Sequence, residues 1–471
     1  MRPVSNRPRT ASATYVSAWH TLRRLTVIAL VALAGLSSAT ARAVAPPPID
    51  QKWLPQPAAP APPQPTVQRD MCTPASASAR LSRSAPSPQL AQLGLAQVWS
   101  LTRGAGQRVA VIDTGVAPHQ RLPKLVGGGD YVSTGDGTQD CDGHGTVVAG
   151  IIAAASSPAD DSFSGVAPEA TIISIRQSST KFAAAADRSG SGFGDVETMA
   201  KAVRTAADLG ASVINISAIA CVPVGSGLDD RALGAALAYA VDTKNAVVVA
   251  AAGNTGGADQ CPPQQSPASW DTVTVAVSPA WYDDYVLTVG SVTVKGAPST
   301  FTLAGPWLDV AAPGEAVISL STDGKQMVKT LGTQNNSTGL QGTSYAAPVV
   351  SGLAALIRAR FPTMTARQVM QRIKTTAQHP PDGWDPFVGN GIIDAYAAVS
   401  TDSAPRATDH PPAGAAPPSA APPPPAPADR RSRQVAFTGT AICIAALVMA
   451  LSGGAVTRRL ARSRHNGIPG H

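Results

Sequence analysis

Five short apolar runs constrain this chain most: RVAVID (Arg108 to Asp113), ATIISIR (Ala170 to Arg176), SVINIS (Ser212 to Ser217), AVVVAAAGN (Ala246 to Asn254) and YVLTVGSV (Tyr285 to Val292). They are rich in β-branched residues and lack the polar alternation of a strand with one face in water, so they predict strands covered on both faces. Between them, GDVETMAKAVRTAADLG (Gly194 to Gly210) and LDDRALGAALAYAVDTK (Leu228 to Lys244) carry apolar residues at helical spacing. Two later helices are expected to begin near Ser344 and Thr365. Alternating strands and helices predict an α/β domain with a mainly parallel sheet, from about Gln92 to Val399. There is no internal repeat.

The two ends read differently. Residues 1–45 hold a basic stretch with Arg2, Arg7, Arg9, Arg23 and Arg24, an apolar run from Leu25 to Leu36, and small residues around Ala39-Thr40-Ala41-Arg42-Ala43, the layout of a secretory signal peptide. The run is too short to cross a hydrocarbon core of about 30 Å as a helix. VAFTGTAICIAALVMALSGGAV (Val435 to Val456) carries no charge and is long enough to cross, so residues 435–456 are expected to be a transmembrane helix and residues 457–471 a cytosolic tail. A signal peptide places everything before that helix outside the cytosol, a single-pass protein with its folded domain on the periplasmic or extracellular side. Two proline-rich tracts, in residues 46–91 and 401–434, are too poor in large apolar residues to bury a core and are expected to be extended, the second as a stalk.

The net charge of +7 does not indicate a nucleic-acid partner. Six arginines precede residue 46, and seven arginines with one aspartate follow residue 428, so the ends carry +12 and the remainder −5. The basicity belongs to targeting and topology. Of the five cysteines, Cys443 lies in the apolar C-terminal run. Cys72, Cys141, Cys221 and Cys261 remain in the exported part and suggest two disulfides, with three possible connectivities. The chain has no C-x-x-C pair, no H-E-x-x-H and no D-x-[DN]-x-[DN]-G loop, so no metal and no cofactor are expected.

The chemistry starts at D-T-G, Asp113 to Gly115, closing the first strand. An aspartic protease would need a second D-T-G or D-S-G so that two carboxylates share a proton, and none exists in this alternating chain. A serine protease needs a histidine and a serine instead. DGHGTVVAGII (Asp142 to Ile152) sets His144 between glycines ahead of an apolar helical run, and GTSYAAPVVSGLAALI (Gly342 to Ile357) sets Ser344 at the start of another. Singly, each has an ordinary explanation as a turn residue, a loop histidine or a helix cap. Together they supply a nucleophile near a helix N-terminus, a general base, and a carboxylate to hold the base, in the order Asp, His, Ser. Gly143 and Gly145 are expected to let the backbone pass close to substrate.

These segments resemble those of the subtilase family: D-T-G around Asp113, H-G-T-x-V-A-G around His144 and G-T-S-x-A-A-P around Ser344. AAGN around Asn254, GVAP (Gly165 to Pro168) and GNGIIDA (Gly389 to Ala395) resemble further family landmarks. The resemblance implies a subtilisin-like three-layer α/β fold with a mainly parallel central sheet, and a serine endopeptidase acting on protein substrates through Asp113, His144 and Ser344. It implies that Asn254 donates to the oxyanion and that substrate backbone lies along Ser217 to Ala220 and Ala251 to Gly253, which makes Ser217, Ala218, Ala251, Ala252 and Gly253 candidate substrate-binding residues. Tyr345 departs from the Met that many subtilases carry after the nucleophile, which is expected to alter local packing and not the chemistry.

The signal peptide, a proline-rich extension containing IDQKWLP, a cysteine before the histidine in DCDGHGT, a proline-rich stalk and a C-terminal anchor together resemble the mycosins, the membrane-anchored subtilases of type VII secretion systems. That resemblance implies an extension that wraps the domain in residues 92–400, tethered by Cys72–Cys141, with Cys221–Cys261 closing a local loop. It also implies association with the secretion membrane complex, as a protease or mainly as a structural component. The segments Gly127 to Asp140 and Ser178 to Gly194 look like surface insertions of the family.

Overall fold

In a computed structural model the described residues are 44–74, 87–157, 161–187, 192–257, 260–264, 268–332 and 338–400. The expected signal peptide lies outside them but for its last two residues, and the stalk, transmembrane helix and cytosolic tail lie wholly outside them. Among the described residues no helix is long and apolar enough to cross a membrane.

Seven strands form the central sheet: β1 (Arg108–Asp113), β2 (Leu125–Asp130), β3 (Thr171–Arg176), β4 (Val213–Ile216), β5 (Val247–Ala251), β6 (Leu287–Val292) and β7 (Val310–Pro313). Their order is β7-β6-β5-β4-β1-β3-β2, and every pairing is parallel. All residues of β4, β5 and β6 are buried, which is why these strands read as unbroken apolar runs. The chain runs from β1 to one edge and then returns to build the other side, so the order reverses at β1. Crevices for ligands open beyond the C-terminal ends of strands at such a reversal, and Asp113 is the last residue of β1.

The helices are α1 (His144–Ala153), α2 (Val196–Asp208), α3 (Arg231–Ala238), α4 (Thr343–Arg360) and α5 (Ala366–Thr376), with shorter ones at Leu95–Trp99 and Ala395–Ser400. Helix α1 packs on α4, and α2 packs on α3; α1, α2 and α4 all reach β1. The two groups cover the two faces of the sheet and give the expected three layers. Asp195 with Thr198, and Thr365 with Gln368, close reciprocal capping boxes that fix where α2 and α5 begin.

Two strands were not legible in advance. β7 is a four-residue run ending in proline. β2, LVGGGD, lies in the segment expected to be a surface insertion, which corrects that expectation at its first residues: Asp130 is fully buried and β2 pairs with β3. The glycines hide the strand and also permit it, since a Cβ at Gly128 would stand 2.6 Å from Ile173 Cγ2 on β3. In the second segment, Phe182–Ala184 pairs antiparallel with Thr66–Gln68 of the extension; residues 188–191 lie outside the described residues.

The extension follows the surface as expected. Residues 44–74 hold one turn of 3₁₀ helix at Gln51–Trp53, one short strand at Thr66–Gln68, and otherwise no regular structure. The Val44 N–H donates to the Trp270 carbonyl (3.0 Å), the Arg231 guanidinium lies 3.9 Å from the Trp53 ring centre, and Arg204 donates to the Pro55 carbonyl (3.1 Å). Cys72 is bonded to Cys141, and Cys221 to Cys261.

Candidate active site

The carboxylate of Asp113 is 1% exposed at the end of β1. Its Oδ1 accepts from the Thr114 N–H at 2.8 Å and faces His144 Nδ1 at 2.7 Å. His144 begins α1, and what brings that helix so close is a contact without side chains. A Cβ at Gly145 would stand 2.0 Å from the Gly115 carbonyl oxygen and 3.2 Å from Asp113 Cβ. Gly145 therefore serves the approach of helix to strand, a correction to the expected approach of substrate.

The turn beyond β1 and the start of α1 are bonded through one further carboxylate, Asp140. Its Oδ1 accepts from Thr114 Oγ1 (2.9 Å), Gly143 N (2.7 Å) and Asp142 N (3.2 Å), and its Oδ2 from the Thr146 N–H (2.8 Å) and hydroxyl (2.6 Å). Thr114 Oγ1 in turn accepts from the Gly145 N–H at 3.0 Å. Sequence reading missed Asp140, since nothing in D-C-D-G-H-G tells which of its two carboxylates bonds to the turn after Asp113 and which, like Asp142, bonds to Ser179 and Thr180 instead. Burial pushes its carboxyl up to about 6, against the lowering effect of the Thr146 and Gly143 hydrogen bonds.

His144 Nε2 lies 3.0 Å from Ser344 Oγ, completing a continuous path from carboxylate to hydroxyl. Burial by itself would lower the imidazole pKa; the charge and hydrogen bond of Asp113, with the charges of Asp140 and Asp142, raise it above the ordinary histidine value. Tyr345 packs on the imidazole with ring centres 5.0 Å apart and an interplanar angle of 36°. Burial, then the charges of Asp113 and Asp140, push the Tyr345 phenol up and keep it neutral.

Ser344 is the second residue of α4, next to backbone N–H groups with no acceptor inside the helix and to the positive end of its dipole. Four residues on, Pro348 lies inside the helix and has no N–H to give to the Ser344 carbonyl. Ser217 fills that gap: its hydroxyl donates to the Ser344 carbonyl at 3.0 Å and accepts from Asn215 Nδ2 at 2.9 Å. On the other side, Asn254 Oδ1 accepts from the Thr343 N–H (2.9 Å) and hydroxyl (3.0 Å). That fixes the amide so that Nδ2 borders the same space as the nucleophile. A Cβ at Gly342 would stand 3.2 Å from Ser344 Oγ and 3.3 Å from Asn254 Nδ2.

The residues expected along the substrate are largely engaged in the fold. Ala251 and Ala252 are 1% and 0% exposed, and the Ala252 N–H donates to the Val289 carbonyl. The Gly253 N–H donates to Thr343 Oγ1 at 3.1 Å, and the Ser217 side chain is the one under α4. Ala218, with Ile219, Ala220, Met199 and Leu233, lines a small cavity of about 150 Å³ beside Gln177 and Ser178. The Cys72–Cys141 bridge sits between Asp140 and Asp142, and Asp142 accepts from the Ser179 and Thr180 hydroxyls (both 2.5 Å) and the Thr180 N–H.

A model of the subtilase family of peptidases matches residues 104–391. Mycosin-4 of Mycobacterium tuberculosis (strain ATCC 25618 / H37Rv) is 66% identical over 454 residues, covering 96% of this chain and 99% of that protein. Among solved structures, the MycP3 protease from the type VII (ESX-3) secretion system matches with a TM-score of 0.71 and 46% identity over 76% of this chain and 100% of that one. A chain in the structure of an intact ESX-5 inner membrane complex matches with a TM-score of 0.73 and 40% identity, over 89% of this chain and 100% of that one.

Proposed function

The chain belongs to the subtilase family and, within it, to the mycosins, and it is a serine protease; on this basis we propose that Asp113, His144 and Ser344 hydrolyse peptide bonds of protein substrates outside the cytosol. The observation that carries the reading is the unbroken hydrogen-bonded path, 2.7 Å from Asp113 to His144 and 3.0 Å from His144 to Ser344. His144 takes the Ser344 proton as its Oγ attacks the scissile carbonyl, and returns it to the leaving amine. Asp113, a charge beside Nδ1, holds the tautomer with Nε2 free and stabilises the imidazolium. The oxyanion is received by Asn254 Nδ2 and the backbone N–H groups at the start of α4. Water then repeats the sequence on the acyl-enzyme and restores Ser344. Purified wild-type protein is expected to cleave an unfolded protein substrate that Ser344→Ala and His144→Ala leave intact; equal cleavage by folded Ser344→Ala overturns the reading.

The same proposal includes placement. Residues 1–45 direct export, residues 435–456 anchor the chain, and residues 401–434 hold the domain off the membrane at the type VII secretion complex. Support comes from the relatives, one named from the ESX-3 secretion system and one a chain within an ESX-5 inner membrane complex. The latter match also favours a second reading, that the protein stabilises the secretion complex with proteolysis secondary. Secretion in cells carrying Ser344→Ala, compared with cells lacking the protein, separates the two. Equal loss removes the structural role, and preserved secretion in the point variant supports it.

A further inference from the structure

We propose that Asp140 is a positioning residue of the reaction: its carboxylate sets the separation of the strand carrying Asp113 from the helix carrying His144, and its charge steadies the imidazolium. The inference rests on the proposed roles of Asp113, His144 and Ser344, and adds to them a residue that touches none of the reacting atoms.

The geometry is that of a staple. Asp140 accepts from Thr114, the residue after Asp113, and from Gly143 and Thr146, on either side of His144. Both threonines extend it. Thr114 Oγ1 accepts from Gly145 N at 3.0 Å, and Thr146 Oγ1 accepts from Ala117 N at 2.9 Å, so the turn after β1 and the first turn of α1 are bonded twice through this side chain. Five donors converge on its two oxygens, which a neutral amide cannot accept in full. The neighbouring Cys141, bridged to Cys72, holds the backbone from the outside.

The titratable groups facing His144 are Asp113 from the end of β1, Asp140 and Asp142 from the loop before α1, and Tyr345 from α4. Tyr345 is neutral throughout the working range, so the carboxylates set the imidazole's charge balance. Neutral His144 is the competent base. Removing the Asp140 charge therefore lets the imidazole stay neutral to lower pH.

The test is the rate at which a rhodamine-tagged fluorophosphonate labels Ser344 in the full-length protein, measured against pH. Asp140→Asn is expected to slow labelling about ten- to a hundredfold, the scale of a small misplacement in a preorganised site. Its acid limb should move to lower pH. Thr114→Val removes one of the two links of the staple and keeps the charge; it should slow labelling with the limb in place. A folded Asp140→Asn protein with the wild-type rate, or with an unmoved limb, overturns the proposal. If Asp140→Asn does not fold, Thr114→Val decides: an unchanged rate overturns it and a reduced rate supports it. Labelling that persists in Ser344→Ala overturns the active-site reading itself and is distinct from either result.

Discussion

Ser217 donates its hydroxyl to the carbonyl of Ser344 at 3.0 Å, the bond that Pro348 cannot make from within the same helix. The nucleophile's backbone is thus held by a strand end and not by its own helix. Ser217→Ala leaves that carbonyl and Asn215 Nδ2 each short of a partner, and should lower stability by about 1–3 kcal/mol. Thermal unfolding checks this, with Ser217→Thr expected to recover most of the loss.

Asn254 is fixed by Thr343 at its Oδ1, leaving Nδ2 toward the nucleophile. Asn254→Ala is expected to lower kcat by roughly 10²–10³, with KM little changed, a magnitude that comes from subtilisin, a member of the same family, and not from this structure. Steady-state kinetics on a peptide substrate separates this from a folding defect, which would lower the active fraction without touching kcat per labelled site.

The two disulfides close segments of 69 and 40 residues. In the chain-entropy picture each restricts the unfolded chain by about 4 kcal/mol. Non-reducing peptide mapping should find Cys72 with Cys141 and Cys221 with Cys261. Cys72→Ser should lower the unfolding temperature and expose the extension to added protease.

The acid–base balance has a definite sign. The His144 pKa is raised in the fold, so the acid limb of labelling should lie above the ordinary histidine value of 6.5. The same shift favours the protonated folded form: its stabilising contribution is full below pH 6.5 and is lost as pH rises through the folded value. Asp140 is raised from 3.8 to about 6, so its contribution to stability falls as pH rises between those values. Comparing the unfolding temperature of wild type and Asp140→Asn across that window isolates this carboxyl's contribution, and wild type should show the steeper decline.

Much of the framework could be read in advance because local chemistry dictated it. Asp113, His144 and Ser344 each stand where a strand ends or a helix begins, and Asn254 three residues past a strand end, within runs whose apolar pattern locates the element. Less could be read where a residue acts through distant partners. Asp140 depends on donors from the turn after β1 and from α1, and Ser217 on a missing N–H more than a hundred residues away. β2 was hidden because three of its six residues are glycine, which carries no strand signal yet is what lets the chain lie against Ile173. Gly145 was legible as necessary but not as the point where helix meets strand.

The most direct measurement is mass spectrometry of the full-length protein after reaction with a fluorophosphonate, read at the single residue that carries the adduct. Modification should fall on Ser344, be absent from Ser344→Ala, and drop by orders of magnitude in His144→Ala. A folded protein that stays unmodified, or is modified at another serine with Ser344 intact, would show that the path from Asp113 through His144 does not activate this hydroxyl.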